Sequence, residues 1–260
     1  MLLDLKKNKS NLDLKLKKFS KIYDFIIIGT GPSASIILNN LIKLKKKILV
    51  VERGDFKNDG LESIKSNDFK IRKSSRIFRV GGTSNSWSQT YSYFSKDEMM
   101  DFKKKNLWPL SHKELFNWCK KVGPKYKFDK KKITQESVFK NKFYLRKFAE
   151  NKKPFRFSKF YKKKNFDMII NCKIESLDEL GKFGLIFFNA FNRINSIKSK
   201  KIIICAGGIE STLMILKSLN EKKLKNLKNM QFVGRYFMDH PKCYVGEIKY
   251  PKIDLIKNII

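Results

Sequence analysis

An α/β fold is predicted by three features of the sequence. A short apolar strand runs into a glycine turn in "FIIIGTGPSAS", residues 25–35, and the turn opens an apolar-faced helix that extends to about residue 44. A second apolar strand, "ILVV" at 48–51, comes directly after that helix and ends in Glu52. A further strand, glycine turn and helix recur at 202–219. The chain has 260 residues and 42% hydrophobic content, enough for one large or two small domains.

Residues 1–21, "MLLDLKKNKSNLDLKLKKFSK", carry a charge every few positions and contain no apolar run of signal-peptide type. They are read as a basic leader, either an amphipathic helix on a membrane surface or a solvated, frayed segment. The first Arg is Arg53, so no twin-arginine export signal precedes the fold. No run of 18 or more apolar residues exists, and no transmembrane segment is expected.

Tyr23 to Ile28 reads as a buried strand. Gly29 permits a sharp turn, and Gly31 lets backbone approach a ligand with no side chain between. Pro32 suits the first helical turn, where its missing N–H costs nothing. Ser33 comes next, and Ala34 takes a small position where helix and strand pack closely. Ala34, Ile37, Leu38 and Leu41 share one helical face, and Lys45 to Lys47 place positive charge at the helix end. Glu52 lies 21 residues after Gly31. That matches the roughly 20-residue offset of an acid that binds a ribose hydroxyl. The helix start, with its unpaired N–H groups and dipole, makes a pyrophosphate site. A carboxylate at 52 repels a 2′-phosphate and disfavours NADP. This unit alone leaves NAD and FAD open.

Charge is the odd property: 58 Lys+Arg against 24 Asp+Glu, a formal +34. Nucleic acid or an anionic membrane surface would be attracted non-specifically. The abundance of Lys, Asn, Ile and Phe together points instead to compositional bias, and no nucleic-acid motif accompanies it, so no specific nucleic-acid partner is expected. The Lys- and aromatic-rich stretch "PFRFSKFYKKKNF", 154–166, is the best local case for such binding. Cys119, Cys172, Cys205 and Cys243 form no metal-spaced pair, and His112 and His240 are the only histidines. No metal site is expected, and isolated cysteines fit a reducing, cytoplasmic location.

Three later stretches separate the cofactors: "RVGGTSNSWSQTYSYF" (79–94), "KKIIICAGGIESTLMILKS" (200–218) and "NMQFVGRYFMDHP" (229–241). With the first turn and "LWPLSHKELFNWCKKV" (107–122), they resemble the glucose-methanol-choline (GMC) oxidoreductase family, nearest its pyranose-oxidase-like bacterial branch. The resemblance spans about residues 22–245, with the motifs in family order. It implies a Rossmann-like FAD-binding domain with an incomplete substrate or cap region.

The resemblance also implies roles for individual residues. Gly29, Gly31, Pro32, Ser33 and Ala34 would hold the pyrophosphate and Glu52 the adenosine ribose. Gly81, Gly82, Thr83 and Ser84 would run beside flavin and pyrophosphate. Ala206 and Gly207 lie in the second glycine turn, read as strand Ile202–Cys205 and helix Ile209–Leu219. Glu210 falls in its first turn as a capping residue. "MIINCKIESL", 168–177, resembles the strand that meets adenine, with Ile174 at the apolar position. In pyranose-oxidase-like members a His before the Trp links to the flavin. Here Ser86 precedes Trp87, which implies non-covalent, dissociable FAD.

The family oxidises CH–OH groups of an alcohol or sugar by hydride transfer to flavin N5, with a C-terminal His as base. No His comes after His240, so no catalytic residue is assigned. The expectation is an N-terminal FAD-binding portion, its missing half supplied by a second polypeptide or absent through truncation. The expected organisation is a leader (1–21), FAD-binding segments (22–106 and 165–242), a cap or partial substrate region (107–164) and the start of a substrate domain (243–260).

Overall fold

The computed structural model describes residues 1–7, 12–57, 60–61, 76–87, 90–100, 103, 105–106, 108–126, 134–138, 143–147, 149–150, 155–162, 165–190, 192–224 and 230–237. The chain divides into two compact units, one of Met1–Trp87 with Arg156–Phe237, the other of Ser88–Phe155 with Met238–Ile260.

The first unit is built on a seven-stranded sheet. Its strands are β1 (Leu2–Asp4), β2 (Tyr23–Ile28), β3 (Ile48–Val51), β4 (Asp167–Ile170), β5 (Ile174–Leu180), β6 (Phe183–Ala190) and β7 (Arg193–Ile204). The spatial order is β1-β4-β3-β2-β7-β6-β5. β1, β4, β3, β2 and the end of β7 pair in parallel, whereas β5, β6 and the start of β7 form an antiparallel meander. β7 belongs to both halves. Ser199 pairs with Gly184 of β6 on one side and Tyr23 of β2 on the other.

Alternation along the strands sends side chains to two cores. Ile26, Ile28, Leu49, Val51, Ile169 and Ile186 pack on one face, where helix α4 (Gly208–Asn220) contributes Met214. Ile27, Val50, Met168 and Ile170 pack on the other, against Ala34 and Leu38 of helix α2 (Pro32–Leu41). Strands buried on both faces explain why 25–28 and 48–51 are continuous apolar runs rather than alternating ones.

The residues read as a basic leader are part of this sheet. Leu3 is 2% exposed, Leu5 6% and Phe19 1%, and β1 pairs in register with β4, Leu3 opposite Ile169. A short helix, α1 (Leu12–Lys17), comes after it. Asp167 secures the junction: its carboxylate takes the Met1 ammonium at 2.9 Å, Lys21 Nζ at 2.7 Å and the Tyr23 hydroxyl at 2.9 Å. Alternate leucines carry the packing while the lysines stay in water, so charge density hid an edge strand.

Three other expectations are corrected. Helix α2 ends at Leu41, succeeded by a 3-10 turn, Ile42–Leu44, and Lys45 in the left-handed region at φ +50, so Lys45–Lys47 lie beyond the helix. The 168–177 stretch is two strands, β4 and β5, broken at Asn171 with φ +55. The basic-aromatic stretch supplies core: in the 3-10 segment Phe157–Lys162, Phe157 is 1% and Tyr161 4% exposed. Those rings are not free to stack on bases.

In the second unit, helix α3 (His112–Val122) starts with a capping box: Glu114 N–H donates to Ser111 Oγ and the Glu114 carboxylate accepts from Ser111 N–H. Two short antiparallel pairs join 90–91 to 149–150 and 134–138 to 143–147. The expected substrate-domain start at 243–260 lies outside the described residues.

Candidate functional site

The site lies at the C-terminal end of β2, where chain connections leave the sheet toward both faces. Open α/β sheets bind ligands at such a switch point. Gly29 has φ +95, and a Cβ there would stand 2.4 Å from the Cys205 carbonyl oxygen and 3.1 Å from Ala206 Cα. Only glycine fits both the dihedral and the gap. Gly31 is different. It has ordinary extended backbone as the N-cap of α2, with Pro32 at the first helical position and no side-chain cap. Nothing lies within 4 Å of where its Cβ would stand. Its lack of a side chain keeps the mouth of the helix open, and the first-turn N–H groups there have no intrahelical partner. Ser33 is exposed on that turn, and Ala34 is fully buried beneath it.

The loop at Gly81–Ser84 packs directly on this turn. Gly81 has φ +97, and a Cβ on Gly82 would come within 3.0 Å of Gly31 Cα. Ser84 is buried: its hydroxyl donates to the Gly81 carbonyl at 2.6 Å and accepts from Phe157 N–H at 3.4 Å. Its carbonyl accepts from Arg156. Ser84 therefore shapes the loop from inside, while Thr83 is exposed on its outer side.

Glu52 is 6% exposed. One carboxylate oxygen accepts the Thr30 hydroxyl and the other the Gly54 N–H at 2.8 Å. Burial pushes its pKa up, and the hydrogen bonds from Thr30 and from the Gly54 and Arg53 backbones work against that rise. Its backbone is fixed by β4, since Glu52 N–H donates to the Ile169 carbonyl and Cys172 N–H to the Glu52 carbonyl, both at 2.9 Å. Thr30 also accepts the Gly81 N–H at 3.0 Å. Sequence reasoning passed over Thr30. Its signal was a hydroxyl inside a glycine turn, which a spacing rule treats as a free position.

Ser35, one turn into α2, is likewise buried. Its hydroxyl lies 3.0 Å from both the Gly31 carbonyl and the Tyr161 hydroxyl. Tyr161 is held well above the usual phenol range, chiefly by burial.

The second glycine turn has another character. Gly207, at φ +84, is the N-cap of α4 with no side-chain cap, and nothing stands within 4 Å of a Cβ at Gly207 or Gly208. Glu210 is not a cap. Its carboxylate pairs with Arg53 at 3.4 Å and with Arg76. The Arg53 guanidinium lies 3.9 Å from the centre of the Phe78 ring. The ion pairs thus tie the start of α4 to the end of β3 and to the strand that precedes the Gly81 loop.

Gly29, Gly31, Glu52, Gly81, Gly82 and Ala206 are therefore brought together. Ile174 takes no part in the Thr30 network. Its side chain joins the opposite core with Cys172 and Leu177, and it pairs with Phe188. In the second unit His112 starts α3, with Nε2 2.9 Å from the Phe94 carbonyl and its ring stacked on Phe116. His240 lies outside the described residues. Among the described residues, no helix is long and apolar enough to cross a membrane.

The chain matches no protein-family model and no curated protein. Among solved structures it is similar to a fungal aryl-alcohol oxidase, with 13% identity over 76% of this chain and 48% of that one, at a TM-score of 0.50. It is also similar to pyridoxine 4-oxidase from Mesorbium loti, with 13% identity over 75% of this chain and 52% of that one, at a TM-score of 0.43. At such identity the likeness is one of fold, and the first structure carries it. The chain spans about half the length of these proteins. The fold is Rossmann-like and similar to that of the fungal aryl-alcohol oxidase.

Proposed function

We propose that this chain is the FAD-binding portion of an oxidoreductase that acts on a CH–OH group of a small alcohol or sugar. The observation that carries the reading is the open N-terminus of α2, flanked by a buried ribose-type acid and a glycine loop. A dinucleotide fits these residues. The Gly31 and Gly207–Gly208 positions leave room for a ligand where any Cβ would intrude. The first-turn N–H groups of α2 suit a pyrophosphate, and Glu52 retains acceptor capacity on both oxygens beyond its bonds to Thr30 and Gly54.

When bound, the flavin would supply the hydride-accepting centre. The chain's own residues bind and orient. Glu52 accepts ribose hydroxyls, Ser33 and Ala34 N–H groups face the pyrophosphate, and the Gly81–Ser84 loop excludes water along it. With Ser86 before Trp87, attachment is non-covalent. No residue of this chain is assigned the proton transfer. A second reading is a flavin-binding part that works with another polypeptide.

The test is the visible spectrum of the purified chain after FAD addition and desalting, repeated after acid precipitation. A flavin band near ~450 nm that leaves with the supernatant supports the reading. A folded, colourless protein overturns it. If the flavin band is present, bleaching by an alcohol or sugar without any partner protein argues against the two-polypeptide reading.

A further inference from the structure

The Thr30 side chain touches both halves of the proposed nucleotide site at once. Its hydroxyl proton goes to Glu52, and its oxygen receives the Gly81 N–H at 3.0 Å. Thr30 is 1% exposed, so neither bond can be replaced by water. The Arg79 carbonyl lies 3.4 Å from the same hydroxyl as a second, longer acceptor. Glu52 belongs to the end of β3 and Gly81 to a loop 51 residues beyond Thr30. Among the described residues, no other side chain joins the carboxylate to that loop.

We propose that Thr30 is a positioning residue that sets the ribose acid and the Gly81–Ser84 loop in one register, so that the ribose and pyrophosphate subsites are assembled together before ligand arrives. The inference rests on the FAD reading above. Thr30 touches no reacting atom and acts through Glu52 and Gly81. A preorganised pair of subsites spares the nucleotide the cost of ordering them. The hydroxyl also works against the burial that raises the Glu52 pKa. Backbone N–H groups of Gly54 and Arg53 also donate to the carboxylate, and Thr30 adds the side-chain hydroxyl. The Tyr161 phenol and the Cys172 thiol nearby are kept neutral by burial, and the Arg53 guanidinium pairs with Glu210.

The experiment compares wild type, Thr30→Val and Thr30→Ser for FAD affinity by flavin fluorescence quenching across pH, with hydrogen exchange at the Gly81 amide read in parallel. Valine keeps the shape and removes the hydroxyl; serine keeps the hydroxyl. Thr30→Val is expected to weaken FAD roughly tenfold to a hundredfold, as for a buried bond lost with a partner left unsatisfied. It should also speed exchange at Gly81. The sign of the pH effect comes from Glu52: affinity falls as pH drops through its pKa, and loss of the Thr30 donor raises that pKa. The fall therefore begins at higher pH in Thr30→Val. Thr30→Ser should restore affinity to within about threefold and restore the pH profile. Two outcomes overturn the role: Thr30→Val binding as wild type with an unmoved profile, or Thr30→Ser as weak as Thr30→Val. Wild type that takes up no FAD overturns the flavin reading itself, a result distinct from either.

Discussion

The two strand–glycine–helix turns of the first unit share one sequence grammar but are held differently. At the β2–α2 turn, Gly29 abuts the Cys205 carbonyl, Thr30 is hydrogen-bonded on two sides, and α2 buries Ala34 and Leu38 completely or nearly so. At the β7–α4 turn, no atom crowds Gly207 or Gly208, and α4 buries only Ser218 fully, its apolar residues being half-buried or exposed. The first turn is positioned by packing and a polar network, the second by the Glu210 ion pairs. A glycine motif thus states where the backbone must bend. What holds the bend comes from residues far away in the chain.

Substitutions can break this contrast. Gly29→Ala should be the most damaging, since the new methyl meets backbone at 2.4 Å in a positive-φ position. A loss of about 3 kcal/mol or more is expected by urea unfolding, or no soluble protein. Leu38→Ala, at a 1% exposed position, should cost about 2–4 kcal/mol. Leu216→Ala on half-buried α4 should cost about 1 kcal/mol. Equal losses at the two helices would erase the distinction. Gly207→Ala has strain but no clash, so about 1–3 kcal/mol is expected, less than for Gly29→Ala, which adds a backbone clash. Gly31→Ala sharpens the comparison furthest. Its backbone is unstrained and its surroundings are open, so stability should change by less than about 0.5 kcal/mol. FAD affinity should nevertheless fall about tenfold or more, because the methyl enters the ligand's space. A Gly31→Ala chain that keeps full affinity would place the ligand elsewhere.

The core of the fold was legible because its signals are local. The bounds of β2 and β3 and the start of α2 are set by apolar runs, glycines and Pro32. Spacing singled out Glu52, and Thr30 links its side chain to the Gly81 loop. What escaped depends on distant partners. β1 needs β4 for its hydrogen bonds and Asp167 for its charges, so nothing within residues 1–21 announces a strand. The break at Asn171 is set by its backbone amide, which donates to the Gly54 carbonyl at 3.0 Å. Tyr161 looked like a surface aromatic among lysines until Ser35 supplied its partner. Glu210 looked like a cap until Arg53 and Arg76 met it from other elements.

The double membership of β7 bears on how this chain tolerates length changes. One strand of 12 residues, roughly 40 Å if fully extended, is paired with the meander at its start and with the parallel half of the sheet at its end. Because side chains alternate, a single inserted or deleted residue between Ser196 and Ser199 would swap inward and outward positions along the rest of the strand, Ile202 to Ile204 included. The meander thus sets the register of the strand end that carries Cys205 against Gly29.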